Sequence, residues 1–154
     1  MEGFSKLTDL SRRIFIITNL FSIQLRKTMN KTTYLKRVNF KDHKLGLYDL
    51  QTFSKDWNNP KWNRGITEKR CRIVKVNGEN VLEITIPKNT VSNGGSFWRL
   101  ELSPSLKDVT LEYDIMFGNN FNFVRGGKLP GLGGGSCPGG GSKDKEGFSA
   151  RLMW

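Results

Sequence analysis

The stretch CRIVKVNGENVLEITIP, residues 71–87, constrains the fold more than any other. Two runs of alternating apolar and polar residues flank Asn77-Gly78-Glu79-Asn80, which reads as a β-hairpin turn. The same period of two continues down the chain. In SFWRLELS, Trp98, Leu100 and Leu102 fall on one face, and Phe97, Arg99 and Glu101 on the other. In DVTLEYDIMF, Val109, Leu111, Tyr113, Ile115 and Phe117 share a face opposite Thr110, Glu112 and Asp114. FNFV is short and apolar. GFSARLMW puts Phe148, Ala150, Leu152 and Trp154 on one side and Ser149, Arg151 and Met153 on the other. No helical period is visible after residue 70. Regular strands separated by turn signals predict an all-β fold, a sandwich or jelly roll.

The first half is organised differently. In residues 1–28, Arg12 and Arg13 precede a short apolar run closed by Arg26 and Lys27. This has the outline of a signal peptide or an amphipathic helix, but Thr18 and Asn19 interrupt it and no small-residue cleavage site follows. The expectation is an N-terminal extension over 1–28 and a sandwich domain over 30–154. Residues 30–70 are polar and basic, and predict loops and short strands around the turn signal Asn58-Asn59-Pro60. Trp57 and Trp62 flank that turn; one is expected in the core, and an exposed one would stack on sugars or bases.

Charge follows the same division. Residues 1–75 carry 17 Lys/Arg and 6 Asp/Glu, and residues 76–154 carry 8 of each, so the net +11 belongs to the first half. Such a surface attracts polyanions: acidic polysaccharide, nucleic acid or anionic membrane. No apolar run approaches the roughly 20 residues of a membrane span. Cys71 and Cys137 lack metal or redox spacing and leave one disulfide or two free thiols equally open. With His43 the single histidine, a metal site is not expected, and nothing calls for a cofactor.

Nine of the residues from Gly126 to Gly141 are glycine. Gly127-Lys128 is followed by Leu129 rather than Ser or Thr, so the run is no phosphate-binding loop, and GxGxxG fails at Ser136. A flexible linker is one reading. Pro130 and the apolar Leu129 and Leu132 argue for a built loop instead. On the strand that follows, Ser149 and Arg151 leave the same face. A guanidinium there can clamp a carboxylate in bidentate fashion, or be an ordinary solvated arginine.

FVRGGKLPGLGGG followed by GFSARLMW resembles the signature of polysaccharide lyase family 14, which acts on alginate or glucuronan. The resemblance is close over 123–154 and extends back to about residue 72. It implies a β-jelly roll that binds acidic polysaccharide and cleaves it by β-elimination at a uronic acid, without metal or cofactor. It also implies a place of action outside the cell, at a cell wall or on a virion. Removing the C5 proton puts negative charge beside a carboxylate, so a cation must neutralise that carboxylate while a base and an acid move the protons. By the resemblance Lys128 is the essential lysine, placed to neutralise the carboxylate and, if desolvated, to assist proton transfer. Ser149 and Arg151 match the polar pair that holds the uronate. Gly126 and Gly127 would let backbone approach the sugar chain as part of a moving loop. Alternation alone adds Arg99 and Glu101 as substrate contacts.

The resemblance also implies an acid/base pair of tyrosines, two apart, on a strand beyond FSARLMW. The sequence ends at Trp154, and Tyr34, Tyr48 and Tyr113 do not match those places. The resulting expectation is a truncated lyase, inactive alone or completed by a second polypeptide. The alternative is a non-catalytic module that binds acidic polysaccharide. Nucleic acid ranks last, because no RNA- or DNA-binding motif is present.

Overall fold

The computed structural model describes residues 12–16, 21–28, 31–90, 94–103, 106–119, 121–123 and 125–154. The chain divides into two compact units, Met1–Phe121 and Asn122–Trp154. It is all-β: the sheets are antiparallel, and among the described residues there is one short helix.

In the first unit a five-stranded sheet runs in the order β10 (Ile115–Phe117), β1 (Arg12–Ile16), β7 (Glu79–Ile86), β6 (Cys71–Val76), β4 (Gly46–Leu47). A three-stranded sheet runs β3 (Lys31–Val38), β2 (Phe21–Thr28), β9 (Val109–Glu112). A small ribbon pairs β5 (Asn63–Arg64) with β8 (Phe97–Trp98). Ile16, Ile73, Leu82 and Ile84 from the first sheet meet Ile23 and Val38 from the second in one core, the two-layer arrangement of a sandwich.

The expected hairpin forms as β6 and β7, with Val76 opposite Glu79. Asn77 and Gly78 both take positive φ, 50° and 86°, so the turn twists with its strands. DVTLEYDIMF, expected as one strand, breaks at Tyr113-Asp114: its first part joins β2 and its second joins β1, so it passes from one sheet to the other. Of SFWRLELS only Phe97–Trp98 is strand, yet the predicted faces hold. Trp98, Leu100 and Leu102 pack against the core, while Phe97, Arg99 and Glu101 are exposed.

The N-terminal stretch expected as an extension supplies two strands. Arg12–Ile16 lies hydrogen-bonded between β7 and β10 and buries Ile14 and Ile16. Residues 50–56, expected as loop, form the helix α1 (Leu50–Asp56). Asp49 caps it by accepting the Thr52 N–H at 2.8 Å, and that bond holds the Asp49 carboxyl below the usual carboxylate range. Asn58 and Asn59, both at positive φ, stop it. The helix brings Phe53 and Trp57 onto Trp98, with ring centroids 5.2 and 4.8 Å apart. Around it Tyr48 Oη donates to Asp56 Oδ2 at 2.5 Å, Trp57 Nε1 donates to Tyr48 Oη at 3.1 Å, and His43 Nε2 lies 2.7 Å from Asp56 Oδ2. Tyr48 and Trp57 are buried, His43 and Asp56 half-buried, and each polar group has a partner.

The second unit is a two-stranded antiparallel ribbon, β11 (Lys128–Gly135) and β12 (Gly147–Met153), joined by the turn over 136–146. The glycine run expected as a loop is therefore strand for eight residues. Glycine is a weak strand former, so this strand is imposed by its partner. A Cβ on Gly131 would run into the Ala150 carbonyl and the Arg151 side chain, and one on Gly133 into the Cys137 sulfur.

Candidate functional site

Residues directly opposite in an antiparallel pair project to the same side. Arg151 faces Gly131 and Ser149 faces Gly133, so both polar side chains stand over strand positions that carry no side chain. On the other side lie Phe148, Ala150 and Leu152, with Leu132 opposite Ala150. The alternation read from GFSARLMW is thus the alternation found. The apolar side was expected in a core, however, and it is exposed: Phe148 is 59% and Leu152 64% accessible. The ribbon has two strands and no second layer of its own to cover that side.

Lys128 reaches the Arg151 side by way of a bulge. It lies opposite Met153, and the next register pair is Gly131 with Arg151. Three steps on one strand therefore match two on the other. In a regular strand Lys128 and Gly131, three apart, would project to opposite sides. The extra residue at Leu129-Pro130 returns Lys128 to the side of Arg151, Met153 and Ser149. Pro130 fits there, because proline within a sheet belongs at bulges and edges. Neither the Lys128 nor the Arg151 side chain has an ion-pair or hydrogen-bond partner among the described residues. Two cations without an ion-pair partner thus share one side of the ribbon, an arrangement that can attract an anion.

Ser149 stands on the side of Arg151, as the alternation predicts. Its Oγ donates to the Pro138 carbonyl at 2.9 Å, so it fastens the turn to the ribbon. Asp144 orders the same turn: a hydrogen bond from the Ser136 side chain, together with the Glu146 N–H that it accepts at 2.8 Å, holds its carboxyl below the usual range. Trp154 closes the ribbon at its other end. Its N–H and carbonyl bond Gly127 at 3.2 and 3.3 Å, and its indole N–H donates to the Arg125 carbonyl at 3.2 Å. Its ring lies where a Cβ of Gly127 would be, and its carbonyl lies 2.7 Å from where one on Gly126 would sit. The two glycines flanking Lys128 on its N-terminal side thus make room for Trp154. Sequence reading missed both the bulge and the Trp154 clasp, because the stretch that holds Pro130 was read as a loop.

The other sequence candidates lie in the first unit. Glu101 is bound by Lys61, whose Nζ is 3.1 Å from both carboxylate oxygens, on a fully solvated surface. Arg99 is exposed. Of the two tryptophans near the Asn-Pro turn, Trp57 is buried, and Trp62 is exposed and stacked on Phe97 at 5.0 Å. Among the tyrosines, Tyr48 is buried, and burial together with its bond to Asp56 pushes its ionisation far above the ordinary value. Tyr113 is pushed up by burial as well. Tyr34 is exposed, with the Arg37 guanidinium 5.5 Å over its ring. Cys71 and Cys137 are both free thiols.

A search of curated proteins and one of solved structures each gave no match. The family model of Polysaccharide lyase 14 matches residues 74–154, slightly more than half of the chain, from Val74 within β6 through the whole β11–β12 ribbon. With that match over more than half of its length, and an antiparallel all-β architecture, the chain belongs to polysaccharide lyase family 14.

Proposed function

We propose that the protein cleaves an acidic polyuronate, glucuronan or alginate, by β-elimination, with Lys128 and Arg151 as its carboxylate-binding residues. The observation that carries this reading is the bulge at Leu129-Pro130, which puts both cations on one side of the ribbon with neither neutralised. Arg151 receives the uronate carboxylate through its planar fork, which fits two oxygens at once. Lys128 supplies a compact charge beside the same group. As a base removes the C5 proton, negative charge grows on the carboxylate, and fixed cations stabilise that charge more than they stabilise the ground state. The electron pair from the C5–H bond forms the C4–C5 double bond, the C4–O4 bond breaks, and O4 leaves with a proton from an acid. Ser149, bonded to the Pro138 carbonyl, holds the turn over 136–146 against the strand that carries Arg151. Tyr48 is excluded as the base by its burial and its donation to Asp56.

Incubating the chain with polyglucuronate, and separately with alginate, tests the reading. The unsaturated uronate product absorbs in the near ultraviolet. A rise in absorbance that Lys128→Ala removes is the expected result. A rise that survives Lys128→Ala unchanged overturns the assigned mechanism.

A further inference from the structure

Three strands of the five-stranded sheet carry a second concentration of cations, outside the family motif. Arg13 on β1 lies opposite Thr85 on β7, and Glu83 on β7 lies opposite Arg72 on β6. All four side chains therefore leave the side of the sheet that faces away from Ile14, Ile84 and Ile73. Lys69 and Arg70 join them from the turn that leads into β6. That turn is closed by the Lys69 N–H bond to the Ile66 carbonyl at 3.0 Å, with Lys69 at a φ of 58°. Together these residues line a groove of about 460 Å³, within the range of roughly 300–1,000 Å³ that ligand sites occupy.

The charges in the groove do not balance. Glu83 is buried and is bridged by Arg13 at 3.4 Å. The Arg70 guanidinium donates to the Gly95 carbonyl at 3.3 Å. No carboxylate lies in ion-pair reach of Lys69 or Arg72 among the described residues. We infer that this groove binds an acidic polysaccharide chain through Lys69 and Arg72, at residues that take no part in the elimination. The mixture of groups decides the class of polyanion. A polymer with one carboxylate per sugar offers spaced single charges for Arg72 and Lys69, and hydroxyls between them that donate to Glu83 and exchange hydrogen bonds with Thr85. A phosphate polymer is denser in charge and would set its anions against the Glu83 carboxylate. The groove also gives a place to the basic excess of the first half, since Arg13, Lys69, Arg70 and Arg72 all precede the matched residues 74–154.

This inference takes its polymer class from the lyase reading, and its test is arranged so that the two fail separately. Binding of polyglucuronate is measured with the full chain carrying Lys128→Ala, so that no cleavage intervenes, over a series of salt concentrations. Adding Lys69→Glu and Arg72→Glu is expected to weaken binding about tenfold or more and to flatten its salt dependence. The neutral pair Lys69→Gln and Arg72→Gln gives a smaller loss in the same direction, and replaces the reversal if that variant loses its circular dichroism spectrum. Unchanged affinity in the folded double variant overturns the groove and leaves the lyase reading standing. Duplex DNA that binds more tightly than polyglucuronate, and is lost in the same variant, overturns the polysaccharide assignment in favour of nucleic acid. A groove that passes while the absorbance assay shows no product leaves a polysaccharide-binding groove on a protein without the proposed activity.

Discussion

The two units of the molecule spend their residues differently. Met1–Phe121 contains every buried residue described: Phe53, Cys71, Val81 and Leu82 have no accessible surface at all. Among the described residues of Asn122–Trp154 none is buried, and the ribbon is held by ladder hydrogen bonds, the Trp154 clasp and the Ser149–Pro138 bond. A two-stranded ribbon is only marginally stable in water, whereas a two-layer core supplies most of a domain's folding free energy. The comparison teaches that packing and chemistry can be assigned to separate stretches of one chain. It follows that the two should respond to different substitutions.

Lys128→Ala gives the largest effect. The ammonium is exposed and supports no packing, so its removal is expected to lower polyuronate cleavage by about 10²- to 10³-fold, the usual loss when one transition-state charge partner is deleted. The thermal midpoint should not move. A fall in the midpoint would break the separation of the two units. Phe53→Ala probes the opposite case. Phe53 packs edge-on against Trp98 at 5.2 Å and Tyr48 at 6.4 Å, and its truncation is expected to cost about 3–5 kcal/mol, read from urea unfolding. A loss below about 1 kcal/mol would mean that the core relaxes around the gap and does not carry the unit.

Alkaline pH separates the units through their two thiols. Burial pushes the Cys71 thiol up to about 11, against roughly 8.5 for an exposed thiol. Below about pH 8.5 both folded and unfolded chains keep this proton, and the thiol adds no pH dependence. Between there and about 11 the unfolded chain gives it up first, so stability falls as pH rises, by no more than about 3 kcal/mol. Replacing Cys71 with Val should remove that part of the slope in urea midpoints taken from neutral to alkaline pH. Identical slopes in the two proteins would show that Cys71 is not sealed in the core. Cys137 is half-exposed on the ribbon and should react with iodoacetamide in the native protein, whereas Cys71 should react only after unfolding.

What could be read from sequence was local. The β6–β7 hairpin is encoded by Asn77-Gly78 at its turn, and the sides of β12 by simple alternation, so Ser149 and Arg151 were read onto one side as found. What could not be read depended on distant partners. Arg12–Ile16 looks like a short apolar leader, because the strands that flank it begin about 70 and 100 residues later. The helix α1 has seven residues, fewer than the window in which a helical period becomes visible. Lys128–Gly135 reads as loop because glycine is a poor strand former; its pairing with β12, a partner later in the chain, makes it a strand. The candidate site was legible in its residue types, and illegible in the bulge that aligns them.

That bulge is the point at which the comparison can be sharpened most finely. Gly131 lies opposite Arg151, and a methyl group there would meet the Arg151 side chain and the Ala150 carbonyl, which is backbone and cannot rotate away. Gly131→Ala must therefore shift the ribbon at the register step that sets Lys128 beside Arg151. Because no core residue depends on Gly131, the unfolding free energy from urea titration should stay within about 0.5 kcal/mol of the parent. Cleavage should fall about tenfold, and the loss should appear in kcat more than in KM, since a displaced cation still attracts the polymer but no longer meets the developing charge. Ala150→Ser, on the other side of β12, is the control: it alters the same strand without entering the space above Gly131. If both substitutions lower kcat alike, the ribbon matters as a whole and the bulge has no special part in aligning the cations. If only Gly131→Ala does, the alignment of Lys128 with Arg151 is the feature on which turnover depends.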